Sequence, residues 1–347
     1  MSIKLLRDLS NAFGPSGDEG EVREILRNEL ESHADEVRVD MLGNILFYHN
    51  GKDSYPRIML SAHMDEVGVF VTFVEGGGFL RFETVGGIPS SILPGQRLLL
   101  KGNCGNFKGV IGTKPPHLMS AEEQNKATPV EDLFIDVGAE NCDKAKAKGM
   151  GIGTLGVYDT EFVELGDGYV RGKAFDDRAG CAVLAEVFRE LRDSPYNFVA
   201  VGSVQEELGM RGAHTATWHV EPDYGLALEG TFAADVPGTR PDRMSASLKC
   251  GPVITIRDRS VVTHPSVLKA LVDVGQEKDI PFQFKKVPAG GTDAGVIHLT
   301  RGGVASGVVS VPCRYIHGPA AVTHIDDLKN TVCLVAEFIR RISAGET

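Results

Sequence analysis

The stretch NFVAVGSVQEELG, residues 197–209, holds only apolar or small side chains from Phe198 to Val204 and then turns abruptly to Gln205, Glu206 and Glu207. A short apolar run of this kind is the pattern of a strand buried on both faces. Two carboxylates leaving so apolar a run carry a desolvation cost unless something pairs with them. The neighbouring sequence alternates around this strand. AGCAVLAEVFRELRD (179–193) reads as a helix and GLALEG (225–230) as a second buried strand. SVLKALVDVGQEKD (266–279) is a helix and GVASGVVSV (303–311) a third buried strand. IDDLKNTVCLVAEFIRRI (325–342) is a final helix with Leu328, Val332, Val335 and Phe338 on one face. Alternating β and α elements predict an α/β sheet covered on both faces.

Toward the amino end, residues 3–13 read as a short helix. A second helix is expected after Ser16, where Ser16 and Glu19 fit a capping box and Val22, Ile25, Leu26 and Leu30 recur at helical spacing. Strand-like runs follow at VRVD (37–40), NILFYHN (44–50) and RIMLSAH (57–63). From about residue 66 to 166 the texture changes. VGVFVTFV (67–74), FLRFETVG (79–86), QRLLLKG (96–102), KGVIGT (108–113) and LFIDVG (133–138) are short β-rich runs separated by Gly, Pro and Asn. They predict a small β-barrel or sandwich set into the α/β domain. Residues 117–131 read as a loop or short helix.

The chain has 347 residues, which at roughly 150 per domain suggests about two domains. Its hydrophobic share of 42% and charged share of 24% exclude a disordered or fibrous protein. The 41 glycines follow no triplet period, so they signal tight turns rather than collagen. A net charge of −11 argues against nucleic acid or an anionic membrane as partner. No apolar run approaches the ~18 residues of a membrane span, and the amino end lacks the pattern of a secretory signal. The six cysteines form no C-x-x-C pair, and several lie in apolar runs. Disulfides are one reading; buried thiols in a reducing compartment are favoured, which gives a cytoplasmic location.

Five segments place metal-ligating or acid–base residues just past a buried-strand pattern, at the sheet edge where α/β proteins bind ligands. They are SAHMDE with His63 and Asp65, GKAFDDRAG with Asp176 and Asp177, QEELG with Glu206 and Glu207, LALEG with Glu229, and RYIHG with His317. Each has a plain structural alternative. His63 could merely end a strand, and Asp176 and Asp177 could simply favour a first helical turn. Taken together, two histidines and several carboxylates suit two hard or borderline divalent cations sharing a carboxylate. The absence of Cys from the set argues against a closed structural zinc site.

AHMDEVG, GKAFDDRAG, QEELGMRGA, LEGTFAADVPG and RYIHGP, in this order and spacing, resemble the glutamyl-aminopeptidase or tetrahedral (TET) aminopeptidase family of dinuclear metallopeptidases. IGTKPPHLM and GGTDAG also resemble family segments, and the likeness runs from about residue 8 to 342. It implies a three-layer, phosphorylase/hydrolase-like α/β catalytic domain (1–66 and 167–347) interrupted by a β-barrel dimerisation domain (67–166). It implies two divalent metal ions per subunit, with Zn, Co and Mn all compatible. Asp176 would bridge them, His63 and Glu229 would complete one site, and Glu207 and His317 the other. Glu206 would be the general acid/base, Asp65 would orient His63, and Asp177 would support the site. Gly291, Thr292 and Asp293 would line the substrate pocket, although a Gly-rich turn explains them equally well. The family often has Asp where this chain has Glu229. Peptides are the implied substrates, and dimers assembling into a twelve-subunit tetrahedral cage the implied partners. The competing readings are glycoside hydrolysis by paired carboxylates and a non-catalytic assembly protein on the same fold.

Overall fold

The computed structural model describes residues 2–345. The chain forms two compact units. One comprises the residues up to Asp65, then Phe162–Ile316 and Ala320 onward; the other comprises Glu66–Glu161 with His317–Pro319. The first residue and last two of the expected catalytic domain lie outside the described residues.

The first unit begins with α1 (Ile3–Asn11) and α2 (Gly20–Leu30), followed by β1 (Glu36–Val39), β2 (Ile45–His49) and β3 (Arg57–His63). Ser2 caps α1 by accepting from the Leu5 N–H. The capping box expected at Ser16 and Glu19 does not form: Glu19 is the residue before α2, and no side chain caps that helix. Both side chains are used elsewhere. Ser16 Oγ donates to Asp65 Oδ2 at 2.6 Å, and Glu19 Oε1 accepts from the N–H groups of Gly17 and Gln205.

The second unit is a closed barrel. Its strands are β4 (Gly68–Val74), β5 (Leu80–Val85), β6 (Arg97–Gly102), β7 (Gly105–Gly112), β8 (Phe134–Asp136) and β9 (Leu155–Tyr158). They pair in the order β4-β5-β8-β7-β6-β9. Val69, Val71, Leu80, Phe82, Leu98, Leu100, Ile111 and Ile135 alternate inward and fill it. Of the two expected β architectures the barrel is the one found. The strand that decides it, β9, is too short and too close to Gly-rich sequence to read as one, yet it pairs with both β4 and β6. Between β7 and β8 lies the short helix α3 (Ala121–Gln124), and α4 (Cys142–Ala147) follows β8. A capping box does form here, between Ser120 and Glu123.

The chain then returns to the first unit. A small sheet pairs β10 (Val163–Gly166), β11 (Tyr169–Gly172) and, much later, β17 (Ala321–His324). That pairing places residues 163–166, expected in the inserted domain, with the first unit. The remaining elements are α5 (Phe175–Leu191), β12 (Asn197–Ser203), α6 (Arg211–Val220), β13 (Tyr224–Phe232), β14 (Val253–Thr255), α7 (Pro265–Glu277), β15 (Gln283–Phe284), α8 (Ala294–Ile297), β16 (Ala305–Cys313) and α9 (Ile325–Ser343).

The large sheet has eight strands in the order β1-β2-β12-β3-β13-β16-β14-β15. Its centre, β12-β3-β13-β16, is parallel. Alternate residues of each central strand feed opposite faces. Ile58, Leu60, Phe198, Ala200, Leu226 and Val309 pack with α1, α2, α5, α7 and α9. Met59, Val199 and Val201 pack on the other side with Ala213, Ala216 and Val220 of α6 and Ile297 of α8. The result is three layers, helix–sheet–helix. Leu328, Val332, Val335 and Phe338 of α9 are buried, as their spacing predicts. No helix among the described residues is long and apolar enough to cross a membrane. All six cysteines are free, but only Cys181 and Cys313 are buried. Cys333, which sits in an apolar run, is exposed because α9 turns that position outward.

Candidate metal centre

Because β3, β12 and β13 run parallel, their carboxyl ends share one edge, and the register sets His63 opposite Ser203. His63 is the last residue of β3, and Glu206 and Glu207 follow β12 after a turn in which Gln205 takes φ 55°. Glu229 lies within β13. Asp176 and Asp177 belong to the first turn of α5, but their backbone is non-helical and the peptide joining them is cis. The helical first turn suggested by adjacent aspartates is therefore not formed.

These side chains converge on one imidazole nitrogen. His63 Nε2 lies 3.5 Å from Asp176 Oδ1, 3.6 Å from Glu229 Oε2 and 3.9 Å from Glu206 Oε2. On the other side of the ring, Nδ1 lies 3.3 Å from Asp65 Oδ1 and 3.2 Å from the Asp65 carbonyl oxygen. Asp65 does more than face His63. Its carboxylate also accepts from the backbone N–H groups of Glu206 and Glu207 at 3.0 and 3.1 Å, so it ties the end of β3 to the loop after β12. Asp177 is fully buried and accepts from the His63 N–H at 3.1 Å and the Gly180 N–H at 2.8 Å. A Cβ on Gly180 would stand 2.2 Å from that carboxylate, so the position requires glycine.

Asp293 and Thr292, expected beside the substrate, are both buried, and only Gly291 of that trio is exposed. Asp293 Oδ2 accepts from Ser61 and Ser203 hydroxyls at 2.7 and 2.6 Å, and its N–H donates to Glu229 Oε1 at 3.1 Å. Its place is beneath Glu229. Thr292 Oγ1 donates to Asp258. His317 belongs to the barrel unit, where its Nδ1 is 2.9 Å from the Gly87 carbonyl oxygen.

Sequence reasoning missed several supporting groups. Ser16 and Glu19 looked like a helix cap. Asn44 Oδ1 accepts from the Val204 N–H and Arg178, fully buried, donates to the Met64 carbonyl. Arg178 carried a readable signal, a charged side chain inside an apolar helix pattern.

The electrostatics are those of a site short of positive charge. Burial pushes Glu206 well above the usual carboxylate range; His63 opposes this, and Asp293 and Glu207 add to it. Burial likewise raises Glu229 and Asp177 well above that range. Burial disfavours the charged imidazole, but Asp176, Asp65 and Glu206 outweigh it and hold His63 well above the ordinary histidine value. Burial would raise Asp65 too, yet His63, Ser16 and the Glu206 N–H bring it below its ordinary value.

Divalent cations fit this set. His63, Glu206 and Glu207 offer ligand atoms within 4.8 Å of one another, and so do His63, Asp177 and Glu229. Asp176 and Glu207 also offer oxygens within 4.8 Å of each other. Two atoms each ~2.0–2.2 Å from a common tetrahedral cation stand about 3.4 Å apart. The His63–Asp176 and His63–Glu229 separations of 3.5 and 3.6 Å are close to this value.

The fold and the donor set define a metal-dependent hydrolase of the three-layer α/β type. The chain belongs to the M42 glutamyl aminopeptidase family, whose pattern it matches over residues 43–334. It is 31% identical to the lysyl aminopeptidase of Pyrococcus furiosus, over 98% of this chain and 97% of that one. The structure of a TET aminopeptidase from Thaumarchaeota archaeon SCGC AB-539-E09 superposes with a TM-score of 0.96 at 38% identity, covering 99% and 98% of the two chains. The TET1 peptidase of Pyrococcus horikoshii, which can assemble into a tetrahedron or a large octahedral shell, gives 0.86 at 32% identity, covering 96% and 98%. The protein is therefore an aminopeptidase, a hydrolase of peptide bonds from a metallopeptidase family.

Proposed function

We propose that this aminopeptidase works with two divalent cations per subunit and with Glu206 as its general acid/base. The observation that carries the reading is the convergence of Asp176, Glu229 and Glu206 on His63 Nε2 at the carboxyl edge of the parallel strands. His63, Asp176, Glu207, Glu229 and His317 are the residues that would hold the two ions, with Asp176 as the carboxylate they would share, His63 and Glu229 serving one and Glu207 and His317 the other. Held there, divalent cations would supply Lewis acidity, which lowers the pKa of a bound water, polarises a carbonyl and attracts a free α-amine. Glu206 takes a proton from the water and hands it to the leaving amine, a role suited to a carboxyl whose proton affinity burial has raised. Asp65 keeps the imidazole oriented and holds the 206–207 backbone in place. Zn²⁺ is the favoured metal, and Co²⁺ and Mn²⁺ suit the same nitrogen and oxygen donors.

A strong chelator is expected to abolish hydrolysis of aminoacyl-anilides, and added Zn²⁺, Co²⁺ or Mn²⁺ to restore it. Full activity in chelator would overturn the metal mechanism and favour a paired-carboxylate hydrolase.

The barrel exposes Phe70 and Phe73 on β4, which supports a dimerisation role for it. We extend the proposal to dimers that build a tetrahedral dodecamer, as the assembling relatives suggest. Sedimentation near twelve times the subunit mass is expected; a dimer alone would exclude the cage and leave the chemistry intact. Free Cys104, Cys250 and Cys333 on the surface suit a reducing compartment and support a cytoplasmic location. Recovery of the activity outside the cytoplasmic fraction would contradict that location.

A further inference from the structure

We infer that Asp293 is a positioning residue for the metal centre, acting through Glu229. Its main-chain N–H holds one oxygen of the Glu229 carboxylate, and its own carboxylate, clasped by the Ser61 and Ser203 hydroxyls, fixes that N–H against the sheet. The inference rests on the reading of Glu229 as a cation ligand and adds a residue that this reading does not use.

Asp293 directly precedes α8 and is fully buried. Its Oδ2 accepts from Ser61 Oγ at 2.7 Å and from Ser203 Oγ at 2.6 Å. Ser61 lies on β3 two residues before His63, and Ser203 ends β12 three residues before Glu206. The register pairs Ser203 with His63, and Ser61 with Ala227, two residues before Glu229. Residues two apart on a strand share a face, so Ser61, His63, Ser203 and Glu229 stand on the same side of the sheet. Helix α8 covers that side: Ala294, next to Asp293, packs with Ala227 and Val308.

The side chain of Asp293 thus joins β3 to β12, while its backbone reaches β13. Its N–H donates to Glu229 Oε1 at 3.1 Å. That bond leaves Oε2, 3.6 Å from His63 Nε2, as the oxygen that faces the donor cluster. A carboxylate pinned at one oxygen presents the other in a fixed direction, which is how hydrogen-bonded neighbours orient metal ligands. The second carboxylate oxygen of Asp293, Oδ1, is buried and accepts no hydrogen bond among the described residues. A bare buried carboxylate oxygen costs stability, so a position with packing as its sole task would favour an apolar side chain. Local costs of this kind concentrate at functional positions.

The test titrates the full-length, metal-free protein with Co²⁺, following binding by dialysis and by visible absorption, which reports the coordination of the ion. Asp293→Ala removes the clasp and is expected to weaken Co²⁺ binding about 10–100-fold and to alter the absorption band. Ser61→Ala and Ser203→Ala each remove one hydroxyl and should shift affinity in the same direction. Asp293→Asn keeps an oxygen for both hydroxyls and should bind Co²⁺ as the wild type does. Equal losses in Asp293→Asn and Asp293→Ala would overturn the inference, because the charge of Asp293 rather than its clasp would then matter. Unchanged affinity and absorption in Asp293→Ala and both serine variants would overturn it too, whatever their melting temperatures, since a merely structural clasp moves stability alone. Should Asp293→Ala not fold, the serine variants decide in the same way. A wild type that takes up no Co²⁺ would overturn the metal reading, and this inference with it.

Discussion

A Glu206→Gln enzyme is expected to keep its metal and lose about 10²–10⁴-fold in kcat. The two side chains have the same shape, and the backbone N–H of residue 206 remains held by Asp65. What the amide cannot do is take a proton from water and give it to an amine. Glu206 Oε2 stands 3.9 Å from His63 Nε2, beside Asp176 and Glu229 at 3.5 and 3.6 Å, so the carboxyl lies at the same centre. Metal analysis beside steady-state kinetics separates the two effects. Near-wild-type turnover would remove Glu206 from the acid/base role, whereas simultaneous loss of metal would make it a ligand.

His63→Ala should behave in the opposite way, losing metal and activity together. His63 belongs to two of the clusters able to hold an ion, and its Nε2 is the nitrogen on which three carboxylates close. Without it, the donors left for the ion that it would share with Glu229 are carboxylates, and burial opposes the charge of Glu229, Asp177 and Glu206. The loss should appear as at least one fewer equivalent of metal per subunit, with kcat/KM falling to background. Full occupancy with full activity would mean the centre lies elsewhere.

Much of this centre can be read before folding because parallel strands share their carboxyl edge. Apolar runs ending in His63, in Glu206 and Glu207, and in Glu229 must deliver those side chains to one side of the sheet. Other parts are hidden for physical reasons. Ser16 and Glu19 satisfy a local capping pattern, yet their partners Asp65 and Gln205 are 49 and 186 residues distant, and no local rule sees such bonds. Asp293 sits in a glycine-rich segment that reads as a surface turn, but the Ser61 and Ser203 hydroxyls offset its burial. Strands β14 and β15 have three and two residues, too few for any periodicity, so that edge of the sheet is invisible in the sequence.

The interruption of the first unit after Asp65 also governs what a ribosome can release. β3 finishes with His63, but its two neighbours in the sheet, β12 and β13, are synthesised only after the whole barrel has emerged. Barrel strands find their partners within the segment 68–158, so that unit can fold while translation continues. The imidazole must wait for carboxylates encoded more than a hundred residues later. A nascent or truncated chain therefore has no assembled peptidase centre, and proteolytic capacity arises only once nearly the entire polypeptide has been made.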